Sequence, residues 1–169
     1  MTELPWHPKL VHLPIALSVL MPLLAGGLAA SLWFGWFKRR VWLIALLGQL
    51  LLVASSFAAM QTGEEEEELV EDIVGEAHLE AHAEAADVFF WVAVAVLAMM
   101  VVVHLLPSER AAKWAAIAAT AGAIAVTFLA VRVGEAGGEL VYKYGAANAH
   151  IVTPGQPAVA PHGEDDDDD

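Results

Sequence analysis

The sequence predicts an all-α integral membrane protein, an antiparallel four-helix transmembrane bundle with both termini outside. Three observations predict it: four charge-free apolar runs, charges sorted by sign between them, and tryptophans placed at the ends of the runs. Runs of 28, 23, 21 and 18 uncharged residues separate Lys9 from Lys38, Arg40 from Glu64, Asp87 from Glu109 and Lys113 from Arg132. A hydrocarbon core of ~30 Å needs ~20 helical residues, so each run can cross a bilayer. Lys38, Arg39, Arg40, Arg110 and Lys113 follow the first and third runs, with Glu109 the one acid among them. The opposite side holds 20 of the 21 acids against Lys9, Arg132 and Lys143. Side charges of +4 and −17 recover the net charge of −13. Cytoplasmic loops retain Lys and Arg, so the basic side is expected inside.

The organisation then reads as an outer N-tail over 1–9, a membrane domain over 10–145 and a disordered acidic tail over 146–169. Spans are expected at about 11–36, 41–61, 86–106 and 113–132, with an acidic outer loop over 62–85. In span one, Pro14 suits a first helical turn, and Pro22 should bend the helix while a neighbouring helix satisfies the freed carbonyl. Gln49 in span two is costly against lipid and reads as an interhelical hydrogen bond. Thr62-Gly63 is expected to end that helix, and Leu69, Val70, Ile73 and Val74 to form a short amphipathic helix on the membrane surface. Residues from Glu76 run into span three without a breaker, so this helix should project two or three turns above the bilayer. Span four, dominated by alanine with Gly122, is expected to be the most enclosed. Trp33, Trp36, Trp42 and Trp114 would form the inner interfacial belt, with Trp6 and Trp91 at the outer boundary.

Composition removes several function classes. No cysteine means no disulfide, thiolate metal site, iron–sulfur ligation or covalent haem attachment. No basic patch lies outside the short inner loops, so no nucleic-acid partner is expected. No nucleophile–base arrangement, phosphate loop or nucleotide motif is present, and the chain does not read as an enzyme by itself. No positively charged n-region precedes the first apolar run, so span one reads as an anchor, not a cleaved signal.

Histidine is where chemistry must be sought. His7, His12, His78 and His82 fall at the outer face, whereas His104 lies near the inner end of span three with no second histidine at its depth. His82 and His104 are 22 residues apart, ~33 Å along a helix, and cannot share a ligand. Two site chemistries compete with a purely interfacial role for these imidazoles. One is a single b-type haem with axial ligands His12 and His82, for which His7 or His78 are substitutes and Arg132 a propionate partner. The other is a divalent metal on His78, His82 and Glu80, since i, i+4 histidines share a helix face.

The stretch His7-Pro-Lys-Leu-Val-His-Leu-Pro-Ile-Ala-Leu17 resembles the signature of a family of small bacterial membrane proteins catalogued as domain of unknown function 2231. Thr62-Gly63 before an acidic stretch, His82 heading the third span, and Gly137-Gly138-Glu-Leu-Val-Tyr142 with Gly145 extend the resemblance over about 5–146. It implies a four-span inner-membrane protein. Relatives joined to Rieske or c-type cytochrome modules imply a redox or respiratory setting, with any such partner a separate protein here. The expected function is therefore a redox-associated membrane subunit, with haem b as its cofactor. The alternatives are a non-catalytic anchor or assembly partner, and cation handling by the acidic loop.

Overall fold

The computed structural model describes residues 5–150, and every regular element among them is helical. In chain order these are α1 (His7–Leu10), α2 (His12–Phe34), a 3-10 turn (Arg39–Val41), α3 (Trp42–Val74), α4 (Glu76–Leu105), α5 (Glu109–Tyr142) and a final 3-10 turn (Ala146–His150). α1 leads into α2 through Val11, which keeps right-handed helical dihedrals, and together they form the first of four helices long and apolar enough to cross a membrane. Consecutive long helices pack against each other across short connections, and α5 returns to α2, closing a four-membered bundle. The tightest connection is Gly75 alone, at φ +86°, a left-handed dihedral that glycine adopts without a Cβ penalty.

The bundle core follows from small residues at helical spacing. Ala112, Ala116, Ala119, Ala123, Val126 and Ala130 form one buried face of α5, against Ala93, Val96 and Met100 of α4 and Met21 and Ala25 of α2. Water does not drive helices together inside a bilayer, so close van der Waals approach carries the packing. Gly122 shows how close: a Cβ there would lie 2.7 Å from Val96 Cγ2. At Gly48 it would lie 2.8 Å from Met21 Sδ.

Buried polar groups are bonded between helices. The Gln49 Nε2 donates to the Ala93 carbonyl at 3.0 Å, as expected of an intramembrane amide. α2 passes through Pro22, whose missing N–H leaves the Ser18 carbonyl free, and the Thr127 hydroxyl of α5 donates to that carbonyl. The neighbouring-helix compensation expected at this proline is therefore present.

Several expectations are corrected. Thr62-Gly63 does not end a helix, and no separate surface helix follows; α3 continues through both residues and the whole acidic run to Val74. Glutamate is a good helix former, and one glycine costs only about 1 kcal/mol relative to alanine, too little to stop a long helix with packing partners. The 62–85 segment is thus a helical hairpin closed at Gly75, and α4 projects as expected. α5 likewise runs through Gly134, Gly137 and Gly138 to Tyr142. Nor is it the most enclosed helix: 28% of its most apolar stretch is buried, against 28–33% for the other three. Trp42 is fully buried and donates to the Met100 carbonyl at 3.1 Å, so it joins α3 to α4 instead of standing in a belt. Trp6, Trp33, Trp36, Trp91 and Trp114 are exposed, as belt residues should be.

With 33, 30 and 34 residues, α3, α4 and α5 are each ~45–50 Å long, well beyond a ~30 Å hydrocarbon core. Their extra turns meet at the acidic end around Val70, Val74, Leu79 and Leu140, with Tyr144, Ala146 and Ala149 packed against them. His150 reaches Glu66 at 3.0 Å. Residues 146–150 are therefore folded onto the hairpin and do not begin a disordered tail; residues 151–169 lie outside the described residues.

Candidate functional site

The acidic end brings two histidines onto two glycines. α1 lays His7 across α3, where its Nδ1 lies 2.8 Å from the Ala59 carbonyl and 3.5 Å from the Thr62 hydroxyl. Its ring edge rests on Gly63, where an added Cβ would sit 3.1 Å from His7 Cε1. From α4, His82 rests on Gly137 of α5 in the same way, 3.1 Å from Cε1 to a built Cβ. Each glycine is a weak helix former in the middle of a long helix. Each is explained by the imidazole that occupies the place of its side chain.

Burial, and after it the His7 imidazole, disfavour a charge on His82. The His7 Nδ1 uses its proton on the Ala59 carbonyl, which leaves Nε2 with a lone pair. The His82 Nδ1 is buried against Gly137, without a hydrogen-bond partner among the described residues. A ring nitrogen tied to a backbone carbonyl fixes the tautomer and aims the other nitrogen, the arrangement usual behind metal-ligating histidines.

The other sequence candidates lie differently. His12 is exposed on the first turn of α2. His78 is exposed and stacks on Tyr144, with centroids 3.8 Å apart and planes 19° apart. Among the described residues no three His, Asp or Glu side chains converge as a metal site, so His78, His82 and Glu80 do not form the three-ligand group that their spacing allows. Arg132 is exposed on α5, five residues before Gly137, and has no ion pair among the described residues. His104 stands alone near the basic end, as its position in the sequence requires.

Sequence reasoning offered His7 only as a substitute for His12 and missed the contact of His7 with Gly63 and of His82 with Gly137. For Gly63 the signal was present, since it is followed by a run of five glutamates, good helix formers that it does not separate from the helix before it. Read as a helix break, Gly63 hid its own purpose.

The family described as predicted membrane protein (DUF2231) matches residues 3–150 of this chain. No curated protein and no solved structure matches it. The match takes in all four spans, His7, His82 and both glycine seats, and the chain belongs to this family of multi-pass membrane proteins.

Proposed function

We propose that this protein is a redox-associated membrane subunit carrying one bis-imidazole centre at its acidic end, with His7 and His82 as the ligands. The observation that carries the reading is a pair of seated imidazoles: the His7 Nδ1 donates to the Ala59 carbonyl, and the His82 Nδ1 is buried with no hydrogen-bond partner among the described residues. Ligand number favours haem b over a bare ion. Zinc sites use three or four protein ligands, whereas haem iron takes its remaining two from the protein, and no third His, Asp or Glu converges among the described residues. Two imidazoles match in number the protein ligands that a haem iron takes, and Arg132 is an exposed cation on the helix that carries Gly137, available to a propionate. A haem held by two imidazoles supplies one-electron transfer. The chain's own part is to fix the imidazoles on Gly63 and Gly137 and to keep them at the membrane boundary. His7 replaces His12 as the first ligand in this reading, because His12 is exposed and His7 is held on α3.

Cytoplasmic loops retain Lys and Arg, and this rule supports a reading in which the basic connections lie on the cytoplasmic side of a bacterial inner membrane and the acidic end, with the centre, lies outside. A separate c-type cytochrome or Rieske protein is the matching partner class, in line with the modules that accompany relatives. The test is a visible spectrum of protein purified from haem-replete cells, with His7→Ala and His82→Ala beside it. A Soret band in the wild type, lost in each variant, supports the reading. Colourless wild-type protein leaves the imidazoles as helix-packing groups and the protein as an anchor or assembly partner.

A further inference from the structure

At the opposite end from the imidazole pair, a cleft of ≈ 660 Å³ opens between the α2–α3 connection and the start of α5. Lys38, Arg39, Arg40 and Lys113 line it with Glu109 as the one acid, a net charge of +3. Two of these cations already serve the fold. Arg39 donates to the Leu106 carbonyl and lies 4.0 Å from Glu109, and Lys113 donates to the Trp33 carbonyl at 3.3 Å. Lys38 and Arg40 are exposed and have no ion pair among the described residues. The rest of the lining includes Leu32, Phe37 and Leu43, and His104 enters it with a buried Nδ1 that has no hydrogen-bond partner.

Two features say what covers the cleft. Unspent positive charge beside apolar walls matches an anionic headgroup joined to acyl chains, and does not match a freely soluble anion. The cleft also lies level with Trp33 and Trp114, an edge-to-face pair 5.3 Å apart, and with exposed Trp36, residues that mark the headgroup zone. Basic pockets between helices at this depth recognise lipid phosphates through charge-assisted hydrogen bonds. We propose that the cleft binds the phosphate of an anionic phospholipid, held by Arg40 and Lys38, with its chains against Leu32 and Leu43. The proposal is independent of the centre at the other end of the bundle.

The test uses the full chain, delipidated in detergent, with thermal stability followed as phosphatidylglycerol, phosphatidylethanolamine or inorganic phosphate is added. Native mass spectrometry reads the bound lipid in parallel. Phosphatidylglycerol should raise the melting temperature and stay bound, and K38Q/R40Q should bind it about tenfold or more weakly at an unchanged lipid-free melting temperature. If the double variant does not fold, K38Q and R40Q alone, each at an exposed position, should each weaken binding several-fold. An equal shift from phosphatidylethanolamine, or an undiminished phosphatidylglycerol shift in the variants, overturns the proposal. A full shift from inorganic phosphate alone overturns it too, since the site would then take a free anion.

Discussion

Glycine has different uses in the membrane bundle and in the projecting acidic end. Gly48 and Gly122 lie where an added Cβ would come within 2.7–2.8 Å of Met21 and Val96, apolar neighbours on the facing helices. Gly63 and Gly137 lie where it would come within 3.1 Å of an imidazole. The first pair lets helices approach, which is how a bundle coheres in a solvent as apolar as its own side chains. The second pair seats two polar rings. One residue type therefore marks the scaffold in one region and the site in the other.

Substitution should separate the two uses. Gly122→Leu has the largest expected effect, because Val96 is stiff, buried and already in contact; overpacking of this kind costs about 1–3 kcal/mol. It should appear as a lower melting temperature in detergent, and a wild-type value would place Gly122 on a loose face. Gly137→Ala and Gly63→Ala should behave otherwise. A gain of about 1 kcal/mol in helix propensity offsets the displacement of a ring edge, so thermal stability should change little. The imidazole signals of His82 and His7 in nitrogen-15 spectra should nonetheless move, and bound cofactor should fall. Unmoved signals would show that the glycines seat nothing of consequence. Lys143→Ala should have the smallest effect: its 3.4 Å contact with Glu139 is an exposed surface pair, and thermal stability should be indistinguishable from wild type.

Topology sharpens the same contrast. The positive-inside rule predicts that an alkaline-phosphatase fusion near Glu66 is active and one near Arg39 inactive. Activity in the reverse pattern would move the imidazole pair to the cytoplasmic face.

The four spans were legible because lipid imposes a simple rule: about 20 uncharged apolar residues per crossing, with cations retained on one side. Pro22 and Gln49 were legible for the same reason, since a freed carbonyl or an amide must find a partner where no water reaches. What could not be read was the length of the helices beyond the membrane. Glu64 to Glu68 is a charge run that a solvated loop and a projecting helix satisfy equally well, and only packing at Val70, Val74, Leu79 and Leu140 decides for helix. The buried position of Trp42 was hidden likewise, because an indole suits an interface unless a facing carbonyl such as that of Met100 accepts its N–H. At the site, His82 was found from sequence because it heads a span. His7 was ranked below His12 because depth along a helix says nothing about which neighbour a side chain meets, and α3 had been expected to stop at Gly63.

The basic end follows from the same helix geometry. α2 and α4 finish there, and Lys113 and Arg39 donate to the Trp33 and Leu106 carbonyls, groups that a helix C-terminus leaves unbonded. The cations gathered by the membrane rule thus also satisfy the ends of the helices.

In the proposed centre His7 and His82, not His12, hold the cofactor. The most direct measurement is a reduced-minus-oxidised absorption spectrum of the purified full chain, taken for wild type, His7→Ala, His82→Ala and His12→Ala at equal protein concentration. The account predicts a b-type difference spectrum in the wild type and in His12→Ala, and its loss in the other two. No difference spectrum in the wild type, or one that survives His7→Ala and disappears with His12→Ala, would contradict it.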